Sequence, residues 1–129
     1  MLRSAIAVLS GYLAMVVVVG LCTYVLMLLT PSWFPGAAPP PGPYLAVNVA
    51  YSVVAALTGG YVAAWLAPRR PVKHALLLAV FALVISIVSA VLQGDRQPRW
   101  YQVLVAVCMP MVIVLGGWAR ARSSTRAAN

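Results

Sequence analysis

The sequence predicts an all-α membrane protein, a bundle of four transmembrane helices with both termini on the cytoplasmic side. Three observations carry this expectation. The chain has 129 residues, of which 64% are hydrophobic and 8% charged, with a mean hydropathy of +0.96; a soluble domain is about 45–50% apolar and about 25% charged. Its apolar residues also gather into four runs, each near the roughly 20 residues that cross about 30 Å of hydrocarbon. Finally, the positive charges divide unevenly between alternate connections, which sets orientation in a membrane.

The first run, about 4–29, contains no charge. Val16–Val19 would favour a strand in water, but the unbroken length overrides that propensity. In lipid the backbone must satisfy its own hydrogen bonds, so the run is expected to be helical. It is longer than the about 7–15 apolar residues of a signal peptide, and Leu21 rather than a small residue precedes Cys22. It is therefore read as a retained helix. Residues 30–43 (TPSWFPGAAPPPGP) are rich in proline and glycine and should form an extended or turning connection.

The second span is expected over about 44–67, followed by a tight basic turn at 68–73 (PRRPVK). The third covers about 74–92 and leads into a polar turn at 93–99 (QGDRQPR), which holds Asp95, the only acidic residue. The fourth covers about 100–118, with Pro110 in its middle. A proline there cannot donate to the Ala106 carbonyl and is expected to kink the helix. The remainder, 119–129, reads as a basic cytoplasmic tail that frays.

With the N-terminus inside, Arg3, Arg69, Arg70, Lys73, Arg120, Arg122 and Arg126 are cytoplasmic, against Arg96 and Arg99 outside. This bias fits a multi-pass protein of the bacterial cytoplasmic (inner) membrane. Trp33, Phe34, Tyr44, Trp100 and Tyr101 gather at one interface and Tyr61, Trp65 and Trp118 at the other, as amphipathic rings prefer. The net charge of +8 then reflects topology and attraction to anionic headgroups. No nucleic-acid partner is expected, because the cations are split among three places.

Small residues drive helix association where lipid is as apolar as leucine. The second span carries two such ridges, Ser52-Ala56-Gly60-Ala64 and Ala55-Gly59-Ala63-Ala67. Ala82, Ser86 and Ala90 in the third span and Ala7 and Gly11 in the first are their expected counterparts, with the second span at the centre. The second and fourth spans also align weakly. Tyr44 falls on Tyr101, Gly59-Gly60 on Gly116-Gly117, and Tyr61 on Trp118, a pattern that two tandem helical hairpins would leave.

Chemistry-bearing residues are scarce. One acid, one His (His74), two Cys (Cys22 and Cys108) and Lys73 as the single lysine leave no carboxylate pair or multi-ligand metal set, so no catalytic or metal residue is expected. Asn48 and Thr58 lie within the second span, where polar groups face another helix or a wet cavity. Asp95, Arg96 and Arg99 mark the outer turn as a possible partner or anion contact, with a solvated turn as the plain alternative. His74 is expected as an interfacial residue. The two thiols sit at similar depth but read as small hydrophobes.

Glutamate is absent, which is unlike small multidrug-resistance antiporters, and no C-x-x-C is present, unlike relatives of vitamin K epoxide reductase. Val47-Asn48 resembles the polar pair of Fluc-type fluoride channels, but the glycine-rich, arginine-containing first helix of those channels is missing. Gly59-Gly60-Tyr61 with Ala63-Ala64, Ala67-Pro68-Arg69-Arg70-Pro71 with His74-Ala75, and Gln97-Pro98-Arg99-Trp100-Tyr101 with Pro110 and Gly116-Gly117 resemble a family of small four-span bacterial membrane proteins. That resemblance implies no activity.

The expected function is non-catalytic: an accessory or structural subunit of a larger bacterial membrane complex, respiratory or photosynthetic. The alternative is a small homo-oligomeric channel or transporter. Expected partners are membrane lipids and other membrane subunits or further copies of the chain. No cofactor of its own is expected, though a lipid, quinone or pigment shared with a partner would leave little trace in one sequence.

Overall fold

A computed structural model describes residues 2–34, 36, 39–67, 70–93 and 96–126. Helix α1 spans Leu2–Leu29, a short 3-10 turn spans Pro31–Trp33, and α2 (Gly42–Leu66), α3 (Pro71–Gln93) and α4 (Arg99–Arg126) follow. The described residues are helices and their connections, and all four α-helices are long and apolar enough to cross a membrane. The chain is a four-helix multi-pass membrane protein. At 1.5 Å per residue the helices, of 23–28 residues, run about 35–42 Å, longer than the about 30 Å of hydrocarbon.

Prolines start two of the helices. Pro43 stands in the first turn of α2, after an extended Pro41, and Pro71 opens α3; the missing N–H there would have no helical partner in any case. Arg70, just before Pro71, has φ 55, the left-handed region that costs a non-glycine residue roughly 1–2 kcal/mol. Its carbonyl accepts the Lys73 N–H at 3.1 Å, so the strained turn also caps the start of α3.

Neighbouring helices alternate in direction, and α2 packs against α1, α3 and α4. The bundle thus has a termini end, where α1 begins and α4 finishes, and a loop end at the 3-10 turn and residues 96–98. The centre is made of Ala56, Ala63, Leu78, Ala79, Ala82, Met109 and Ile113. The packing residues expected from the sequence are at the crossings: Ala55, Ala56, Gly59, Gly60, Ala63 and Ala64 are buried, and Ser52 and Ala67 are half-buried. Ala7, Gly11 and Ala82 are buried opposite them, while Ser86 and Ala90 are half-buried.

Two crossings are so close that a Cβ would not fit. One added at Gly11 would stand 2.7 Å from the Gly59 carbonyl oxygen and 2.8 Å from Ala63 Cβ, which sets α1 on α2. One added at Gly60 would strike the Ile113 carbonyl, and one at Gly116 would strike the Leu57 carbonyl. Exchanging α2 for α4 turns each of these two contacts into the other, the reciprocity of an isologous interface. The parallel helices α2 and α4 thus meet through Gly60 and Gly116, one residue out of the register that aligns Gly59-Gly60 with Gly116-Gly117 in the sequence.

One sequence expectation is corrected here. The segment after Trp118 does not fray at once, because α4 continues to Arg126. Arg122 lies over the Trp118 ring at 3.6 Å, and the Ser123 and Ser124 hydroxyls donate to the carbonyls of Ala119 and Ala121. Hydropathy marks where the apolar stretch ends, whereas the helix persists on its own hydrogen bonds. In the 30–43 connection, expected to be extended or turning, Pro31–Trp33 form a 3-10 turn, and Phe34 packs edge-on against Tyr44 with ring centroids 5.2 Å apart.

Candidate functional site

The densest polar arrangement among the described residues sits near the loop end, around Asn48. Tyr44 lies four residues before Asn48, and Tyr51 and Ser52 lie three and four after it, which places all three around Asn48 on one face of α2. The Asn48 amide donates to the Tyr44 hydroxyl at 3.3 Å and to the Tyr51 hydroxyl. Its carbonyl oxygen accepts from the Ser52 hydroxyl at 3.4 Å and, across the bundle, from the Tyr101 hydroxyl of α4. A carboxamide offers two N–H donors and two acceptor lone pairs, so this one is fully used.

Tyr51 carries the network onto α1, where its hydroxyl and Thr23 Oγ1 are 2.9 Å apart. Tyr51 and Tyr101 are both buried. Asn48 and Tyr51 of α2 therefore tie together α1, α2 and α4 in surroundings where an unpaired polar group is costly.

The other residues singled out in the sequence lie elsewhere. Thr58 does not join Asn48; its hydroxyl donates to the Val54 carbonyl of its own helix at 2.8 Å. Arg96 and Arg99 are exposed on the loop-end turn, and Asp95 lies outside the described residues, as do Gly94 and Arg69. Pro110 sits inside α4, which remains one helix across it. Cys22 and Cys108 are free thiols, half-buried and exposed respectively.

His74, expected as an interfacial residue, lies at the termini end and is 7% exposed. Because α3 begins at Pro71, His74 is already inside the first turn, and the neighbouring Ala75 packs where Gly117 leaves room. Its Nδ1 lies 3.2 Å from the Arg70 carbonyl oxygen. Close to this termini end, the Arg120 guanidinium stands 5.9 Å from the Tyr61 ring centre.

Two cavities adjoin the Asn48 network. A polar groove of about 250 Å³ between α3 and α4 is lined by Ser86, Ser89, Gln97, Tyr101 and Gln102. A mainly apolar cavity of about 380 Å³ is lined from α1 by Met15, Val19 and Gly20, and from α2 by Ser52, whose hydroxyl bonds Asn48. Among the described residues, no three His, Cys, Asp or Glu side chains gather as a metal set.

Compared with protein-family models, curated proteins and solved structures, the chain matches none. The site must be read from its own chemistry. Hydroxyls and one carboxamide, mutually bonded, form a clamp that fixes helix register; they offer hydrogen bonds but no strong nucleophile or base. Sequence reasoning found Asn48 and assigned Tyr44 and Tyr101 to the interface, but it missed Tyr51, Thr23 and the joining of these groups. The polar stripe Tyr44-Asn48-Tyr51-Ser52 was the available signal.

Proposed function

We propose that the protein is a non-catalytic integral membrane protein serving as an accessory, structural subunit of a larger complex in the bacterial inner membrane, respiratory or photosynthetic, with both termini cytoplasmic. The observation that supports this reading best is the saturation of Asn48. The deepest carboxamide of the bundle has all its hydrogen-bonding positions directed at side chains of the same chain, which suits a scaffold and leaves little for a substrate or an ion. The resemblance to small four-span bacterial membrane proteins belongs to the same reading. The test is a tagged pull-down from native membranes in mild detergent, read by mass spectrometry. Stoichiometric recovery of larger membrane subunits is expected.

A second reading, a small homo-oligomeric channel or transporter, draws on the polar groove that reaches Tyr101 beside Asn48. The scarcity of acids argues against proton or cation coupling. Recovery of the chain alone as a discrete oligomer would overturn the accessory role and favour this second reading. Liposome flux lowered by Asn48→Ala would then support a pathway.

A further inference from the structure

The two cavities beside the clamp are neighbours: Ile85, Ser86 and Val105 line both, so the polar groove adjoins the apolar cavity. The polar part lies toward the loop end, beside Tyr101 and its neighbour Trp100, whose rings are edge-to-face. The apolar part runs away from that end between α1 and α3, along α1 from Gly20 to Tyr12, a distance of about 12 Å at helical rise. Polarity therefore changes along the pair in the same sense as from interface to bilayer interior.

The chemistry of the walls narrows the occupant. No charged residue lines either part, and Arg96 and Arg99 of the adjacent turn line neither, so nothing in the walls pairs with a phosphate or carboxylate. Ser86, Gln97 and Gln102 are neutral and polar, and the Gln102 amide donates to the Gln97 carbonyl at 3.2 Å. Met15 and Met109 line the apolar part, and methionine adapts to irregular apolar shapes. The apolar volume alone falls within the about 300–1,000 Å³ of small-molecule sites. At Gly20 an added Cβ would meet nothing within 4 Å, so the wall is open at that point.

We propose that this pair of cavities binds one neutral, single-chain amphiphile. Its oxygen-bearing head hydrogen-bonds near Ser86, Gln97 and Gln102, and its chain lies between α1 and α3 against Met15 and Met109. A monoacylglycerol and a quinone share this chemistry, and both are probes for it. The inference does not depend on the accessory role, because it concerns a site this chain builds by itself.

The purified full chain in nanodiscs is irradiated with a monoacylglycerol carrying a diazirine in mid-chain, and the adducts are mapped by mass spectrometry. Labelling of Met15, Val19 and Met109 is expected to exceed that of Leu13 and Val17, which are 63% and 58% exposed on the outer face of α1, by about tenfold. Gly20→Phe, whose ring enters the open space, is expected to abolish the excess while circular dichroism stays as in the wild type and the melting temperature does not fall. An excess of unlabelled monoolein or of decylquinone then identifies the source. Displacement by either one supports the site, and displacement by neither overturns it. Equal labelling of cavity and outer-face residues, or labelling indifferent to Gly20→Phe in the folded variant, overturns it as well.

Discussion

At Asn48 a single carboxamide holds four hydroxyls, those of Tyr44, Tyr51, Ser52 and Tyr101. Hydrogen bonds between membrane helices contribute about 0.6 kcal/mol on average and up to about 1.7, so a shared hub is worth more than any one bond. Asn48→Leu also takes from the buried Tyr101 hydroxyl its bond to Asn48, while the Tyr51 hydroxyl keeps Thr23. A loss of about 2 kcal/mol is expected in reversible unfolding in mixed micelles. Thr58→Val, which removes a bond made only to its own helix, should stay within about 0.5 kcal/mol; equal effects of the two would dissolve the clamp. Arg70 offers a change of opposite sign. Its φ of 55 is strained for arginine and free for glycine, so Arg70→Gly should raise stability by about 1 kcal/mol on the same assay. Arg70→Ala, which keeps a Cβ in the left-handed region, should not.

Helix pairs are decided by where backbones can touch. Added methyls at Gly60 and Gly116 would run into the carbonyls of Ile113 and Leu57, backbone atoms that cannot swing aside, so α2 and α4 would have to separate. Gly60→Ala and Gly116→Ala are each expected to lose most of the folded, monodisperse protein in size-exclusion chromatography. Gly20→Ala, facing open space, should gain up to about 1 kcal/mol from helix propensity. The four spans and the small-residue ridges of α2 are legible in the sequence because hydropathy and four-residue spacing are local properties. The partners of those ridges are not local. That Gly60 faces Ile113 depends on α4 lying parallel to α2, and the same placement brings Tyr101 to Asn48. Read alone, Tyr101 belongs with the interfacial aromatics. His74 shows the same limit: its burial follows from Pro71 opening α3 and from Ala75 meeting Gly117, neither visible in hydropathy.

For the whole molecule, four spans of alternating direction put the start of α1 and the end of α4 on one side, and the charge pattern decides which side that is. Arg3, Arg70, Lys73, Arg120 and Arg122 lie at the termini end, whereas the loop end carries Arg96 and Arg99. In the orientation proposed from the Lys and Arg bias, the 3-10 turn Pro31–Trp33 is expected outside and the last turns of α4 inside. The native thiols lie within the spans, at Cys22 and Cys108, and are replaced by alanine to give a clean background. Ser32→Cys, exposed on the 3-10 turn, should then react in intact cells with a maleimide that cannot cross the membrane. Ser124→Cys, exposed near the end of α4, should react only after the cells are opened. The reverse pattern would invert the molecule. The polar mouth of the cavity would then face the cytoplasm, and an amphiphile held there would come from the inner leaflet instead of the outer.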